Sequence, residues 1–256
     1  MKSKNTFKRI TSILVGVAVI SAGLIVISSM GKAQASPVTV LVNATITADN
    51  DYALYYGTED GSSITFVGRS NLSDDWKSAE NWSFDVKKGD YIYVAAWSDN
   101  KVAQGLLGQF VINSPSLPTI LTNTDWQVYL TFDDKGNGSV APSTSEMSNK
   151  IAGASWSPVS DFIDYGSGSW GTIVTGINSA AKWIWGSPLL PGSGFGEYQI
   201  FRIRNDGKVD ICHIPPGNPS NAQTITVSAA DMNTHLNHGD TLGACPLGEA
   251  DHGGRR

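Results

Sequence analysis

From residue 38 to residue 132 the chain repeats one pattern: a short run of alternating apolar and polar residues, then a cluster of turn formers. VTVLVNATITA (38–48), YALYYG (52–57), SITFVG (63–68), NWSFDV (81–86), DYIYVAAW (90–97), LLGQFVI (106–112) and WQVYLTF (126–132) follow the strand period of two, which sends successive side chains to opposite faces of a sheet. TEDG, KKGD, NSPS and DDKGNG punctuate them with residues that favour turns. Sustained helical periodicity is hard to find, and DDKGNG (133–138) reads as a hairpin turn. Many short strands at this spacing predict an all-β sandwich.

The segment before the first strand points to export. Lys2, Lys4, Lys8 and Arg9 precede an uncharged apolar run from Ile10 to about Met30, and Ala33-Gln34-Ala35 has the small-x-small form of a cleavage site. Cleaved, residues 1–35 are a signal peptide; retained, the run approaches the roughly 20 residues that span a bilayer and serves as an anchor. Either way the remainder is expected to be extracellular or attached to the cell surface, touching membrane only through this segment.

Export shifts the charge balance. The chain has 18 Lys+Arg and 23 Asp+Glu, and residues 1–35 hold five of the former and none of the latter. The exported part therefore carries thirteen basic residues against twenty-three acidic ones. Such an acidic surface disfavours nucleic acid as a partner. It suits calcium: ADND (48–51), TEDG (58–61), SDD (73–75) and DDKGNG offer oxygen ligands on turns, though none has the twelve-residue spacing of an EF-hand. Four sequons, at Asn43, Asn71, Asn81 and Asn137, are glycosylation candidates.

All eight tryptophans lie between Trp76 and Trp185. Trp97, Trp126, Trp183 and Trp185 sit in strand-like runs and are expected in the core. Trp76, Trp156 and Trp170 lie in loop-like surroundings, where binding residues concentrate on a rigid sandwich. An indole face stacks well on the apolar face of a sugar ring, so these three are the candidate ligand platform.

TADNDYALYYG, NWSFDVKKGDYIYVAAWSDNKVAQGLLGQF, WSPVSDFIDYGSGSWG and AAKWIWGS together resemble the galactose-binding-like jelly-roll modules of secreted proteins. The resemblance covers about residues 38–204 and implies one continuous jelly-roll sandwich to which the late Trp segments contribute strands. Gly57 follows Tyr56 directly, where that pattern usually has an Asn between them.

The C-terminal part, residues 208–246, is of another kind. It holds both cysteines and three of the four histidines. Two cysteines flanking a compact segment in an exported chain favour a Cys212–Cys245 disulfide, which suits a unit too small for much core. TITVS reads as a strand, and Ser228 with Asp231 as the cap of a short helix that Gly239 stops. On that helix His235 and His238 are three apart and share a face. With His213 they form a candidate site for Zn2+ or Cu2+; alternatively the three imidazoles only hold turns together.

CHIPPGNP (212–219), HLNHGD (235–240) and Cys245 resemble a small module at the C-termini of exported bacterial and archaeal proteins. That pattern often has His before Thr-Ile, where this chain has Gln223. Residues 247–256 read as a flexible tail.

No nucleophile elbow, metalloprotease helix, phosphate-binding glycine loop or CxxC pair occurs, and the chain is expected to be non-enzymatic. The first expectation is recognition of glycan or matrix through the sandwich. A metal-binding role for the His cluster is the second, and a structural subunit of a surface layer or filament, with oligomers, the third.

Overall fold

In the computed structural model, residues 38–71, 75–99, 103–114, 117–136, 138–171, 173–186, 197–228 and 231–246 are described. The expected leader (1–35), Asn137, the 247–256 tail and part of the SDD turn lie outside them.

Every alternating run forms a strand. They are β1 (Thr39–Asp49), β2 (Asp51–Gly57), β3 (Ile64–Arg69), β4 (Glu80–Lys87), β5 (Tyr91–Trp97), β6 (Gly105–Ile112) and, after the two-residue β7 (Ile120–Leu121), β8 (Gln127–Asp134). Helix α1 (Thr144–Ala152) follows, then β9 (Ser157–Pro158), β10 (Asp161–Asp164), β11 (Lys182–Trp185) and β12 (Glu197–Arg204). The C-terminal part adds β13 (Lys208–His213), β14 (Gln223–Ser228), α2 (Met232–Asn237) and β15 (Thr241–Leu242).

Strands β1 to β12 make an all-β antiparallel sandwich. One sheet has the order β10-β11-β6-β1-β4, with β7 also on β6, and the other has β3-β2-β5-β12-β8-β9. Strand β1 shows why the layers close. Val40, Val42, Ala44, Ile46 and Ala48 are buried between the sheets, while the intervening residues as far as Thr45 are at least partly exposed. Phe84 and Val86 do the same from β4.

Strand β5 departs from that alternation, because YIYVAAW is buried at every position. An antiparallel strand with a wet face would carry polar residues at every second place. Here Ile92, Val94 and Ala96 face the inter-sheet core, and Tyr91, Tyr93, Ala95 and Trp97 join a second core with Met147 and Ile151 of α1.

Helix α1 takes the place expected of a return hairpin strand after DDKGNG. Its signals are short but complete. The Ser143 hydroxyl accepts the Glu146 N–H at 3.1 Å, Met147 and Ile151 stand one turn apart on the buried face, and Gly153 ends the helix. With only nine residues, the helix depends on packing and on this cap. Ser143→Ala is expected to lower the unfolding free energy by about 1 kcal/mol, measured by chemical denaturation. An unchanged midpoint would show that the cap contributes nothing.

The remaining sheet, β14-β13-β15, has its own small core of Val209, Ile211 and Met232, flanked by Ile225, Val227, Leu236 and Leu242. The expected Cys212–Cys245 disulfide is formed. A tight turn at Asn205-Asp206-Gly207 joins β12 to β13. Buried Asn205 pins it, accepting from Gly89 N–H at 2.8 Å and donating to the Lys87 carbonyl at 2.6 Å.

Candidate functional site

The three candidate tryptophans do not form a common platform. Trp170 is 1% exposed: its ring stacks on Trp183 at 4.7 Å, and its indole N–H donates to Asp49 at 3.0 Å. This corrects the expectation for Trp170. Its loop folds onto the sandwich end as a short 3-10 turn, Gly168–Trp170, and the side chain becomes core. Trp76 packs edge-on against Trp183 at 6.0 Å, and its hydrophobic body is half-buried.

Trp156 lies on the outer face of the second sheet, where the Arg202 guanidinium covers its ring at 4.0 Å. Arg202 is itself buried, with its Nε donating to Gln127 at 2.6 Å and its guanidinium also over the Tyr91 ring at 4.6 Å. Stacking of this kind holds a buried guanidinium in a low-dielectric layer, and it occupies the face that a sugar would need. Burial pushes the neighbouring Tyr91 and Tyr93 phenols far up, so both stay neutral donors.

A different aromatic stands open. In β8 the pairing passes from Leu130 opposite Gln199 to Asp134 opposite Glu197, so Thr131, Phe132 and Asp133 face Tyr198 alone. This is a β-bulge, the device that re-aims a side chain out of a ladder. The Thr131 hydroxyl donates to the Tyr198 carbonyl at 2.5 Å, and Lys150 of α1 donates to the Thr131 carbonyl at 3.3 Å and pairs with Asp133 at 2.6 Å. Phe132 is left with φ of 58° and 73% exposure. A bulky residue in that left-handed region costs on the order of 1–3 kcal/mol and persists only where its surroundings impose it.

Phe132 lines a cleft of about 580 Å3 with Tyr129, Leu130, Ser155, Ser157, Pro158 and Ser160. Among the described residues, none of its walls is charged. The hydroxyls of the three serines make no hydrogen bond to the protein among the described residues. Strand β9 pairs with Gln127 and Val128, and among the described residues no strand pairs with this edge of β8 from Tyr129 onward. Sequence reasoning missed Phe132 because its run alternates like any strand. The doubled acids after it were the only local hint of irregularity.

In the C-terminal module the expected histidines come together in part. His213 ends β13, His235 lies in α2, and both imidazoles converge on Asp240. Each Nδ1 meets the same carboxylate oxygen, Oδ2, at 3.0 Å from His213 and 2.8 Å from His235, while Oδ1 accepts the Ile214 N–H at 2.8 Å. The hydrogen bond from His213 is the main influence that holds this carboxyl well below the usual 3.8, with the Ile214 N–H and His235 adding to it. An ionised carboxylate only accepts, so the hydrogen sits on Nδ1 of both rings.

His238 does not join them, which corrects the expectation of one shared helical face. Helix α2 stops at Asn237, and Gly239 takes φ of 93° to reverse the chain. His238 is left exposed at the cap, while the Asp240 N–H returns to the His235 carbonyl at 3.2 Å. Asp240 was not foreseen. Its nearest signal was its place in HLNHGD, immediately after the helix-stopping glycine. Among the described residues, the group of His, Cys, Asp or Glu close enough to hold a metal ion is His213, His235 and Asp240.

Several residues of the acidic turns and sequons make local hydrogen bonds. Asp60 caps its own turn, accepting from the Ser62 N–H and from the Thr58 and Ser62 hydroxyls, which pull it down to about 2. Asp51 accepts from the Ser70 hydroxyl and from the Gly138 N–H. Two sequons face each other across the β1–β4 ladder: Asn43 accepts from Ser83 at 2.6 Å and Asn81 from Thr45 at 2.9 Å. The Asn71 backbone N–H donates to Glu80 at 2.9 Å.

Comparison of the chain with protein-family models, with curated proteins and with solved structures finds no match.

Proposed function

We propose that this is a non-enzymatic extracellular or cell-surface protein whose sandwich binds a neutral glycan in the cleft beside β8. The observation that carries the reading is Phe132, an aromatic side chain held open by a bulge at the lip of an uncharged cleft. A sugar ring offers an apolar C–H face to stack on such a ring and hydroxyls around its rim. Ser155, Ser157 and Ser160 supply hydroxyl partners opposite, and the open β8 edge supplies backbone groups. The cleft is of the size that holds one or two small ring systems.

The N-terminal leader and the acidic, disulfide-bonded exported part support the location. The likeness to galactose-binding-like modules points the same way, although the residues that would serve are on β8 and the 153–160 segment and not at the three tryptophans.

Retention on immobilised polysaccharides tests the reading. The intact chain is expected to be retained on at least one neutral glycan, and Phe132→Ala to lose retention with an unchanged unfolding midpoint, since the side chain is outside the core. No retention on a panel of neutral and acidic glycans would remove the proposal. Retention that survives Phe132→Ala would move binding away from this cleft.

A further inference from the structure

The glycan reading leaves the most chemically equipped cluster in the molecule unused. We propose that His213 Nδ1, His235 Nδ1 and Asp240 Oδ2 form a binding site for one divalent transition ion of the zinc class. One ligand atom from each of the three side chains lies within 4.8 Å of the other two. The two N···O separations, 3.0 and 2.8 Å, approach the roughly 3.3 Å edge of a tetrahedron whose metal bonds are about 2.0–2.1 Å. Two edges of the ligand triangle therefore already approach the length that a bound ion requires.

The donor set selects the ion. Two imidazole nitrogens and one carboxylate suit zinc or copper, whereas calcium asks for six or more oxygens. Asp240 is already desolvated, its side chain being 1% exposed, and the Ile214 N–H fixes its other oxygen. The two rings are 33% and 25% exposed, which gives an ion a way in and leaves a fourth position for water. Across the ladder from His213 stands Gln223, exposed and not an imidazole, so no further histidine closes that position from β14. The Cys212–Cys245 bond anchors the strand end that carries His213.

The proton balance is simple. In a neutral imidazole the hydrogen now on Nδ1, donated to Asp240, is replaced by the metal bond and stands instead on Nε2, where water accepts it. Binding thus switches both rings from one tautomer to the other and releases no net proton from them.

Zinc titration of the full chain, followed by calorimetry and by nitrogen NMR of the imidazoles, tests this. One zinc ion per chain is expected, with His213 and His235 passing from the Nδ1–H to the Nε2–H tautomer and His238 keeping its own. His213→Ala and His235→Ala should each weaken binding at least about tenfold, and His238→Ala should leave it unchanged. Affinity weaker than about 1 mM, unchanged tautomers in the presence of zinc, or a loss confined to His238→Ala would each overturn the proposal. The tautomers are read on the unmutated chain, so a variant that fails to fold does not protect the idea.

Discussion

Trp183→Ala is expected to lower the unfolding free energy by about 3–5 kcal/mol, the range for truncating a fully buried large aromatic. Trp183 is 0% exposed and sits between the stacked ring of Trp170 and the edge of Trp76. Its strand, β11, joins the 161–164 edge strand to β6. Gly105 of β6 lies under the cluster, and a side chain there would meet Trp183 at 2.9 Å and Trp170 at 3.1 Å. Neighbours held this closely by a sheet cannot collapse into the space an alanine leaves, so the cavity cost adds to the lost burial. Trp183→Phe separates the two contributions. It keeps most of the ring and removes an indole N–H that has no hydrogen-bond partner among the described residues, so its cost should be well below that of alanine. Urea denaturation checks both. A loss below about 1 kcal/mol for alanine would mean that these rings are not the packed end of the core.

Replacing Cys212 and Cys245 together by Ser is expected to destabilise the C-terminal module by about 4 kcal/mol while leaving the sandwich folded. The bond closes a 33-residue separation, and loop-closure entropy of that length in the unfolded chain gives this magnitude. Three fully buried apolar or sulfur side chains, Val209, Ile211 and Met232, with four partly buried ones, cannot replace it. The sandwich core contains neither cysteine. Hydrogen exchange should therefore show lost protection in β13 to β15 and unchanged protection in β5 and β12. Equal loss in both would show one cooperative unit and remove the division at residues 204–208.

The same local logic explains which readings matched the structure. Strand β1 was legible because VTVLVNATITA carries its inward and outward faces in its own period. The cores that took Trp97, Trp126, Trp183 and Trp185 were legible for the same reason. Helix α1 was missed because nine residues with a single apolar pair, Met147 and Ile151, give too little periodicity, and its capping signal stood inside a Ser/Thr-rich stretch. Trp170 was misplaced because a loop residue looks exposed until something folds beneath it.

By itself the sequence determined the seven alternating strands between residues 38 and 132, the disulfide pair and the helix stop at Gly239, each a matter of neighbours in the chain or of two cysteines with one partner apiece. Only the tertiary structure decided that Phe132 would be turned outward, since that depends on Tyr198 and Lys150 across two other elements. It alone chose Asp240 over His238 as companion to His213 and His235. The chain reversal at Gly239 carries a buried carboxylate back over the end of β13, and which side chains meet after a reversal is set by packing in space, which no period along the chain records.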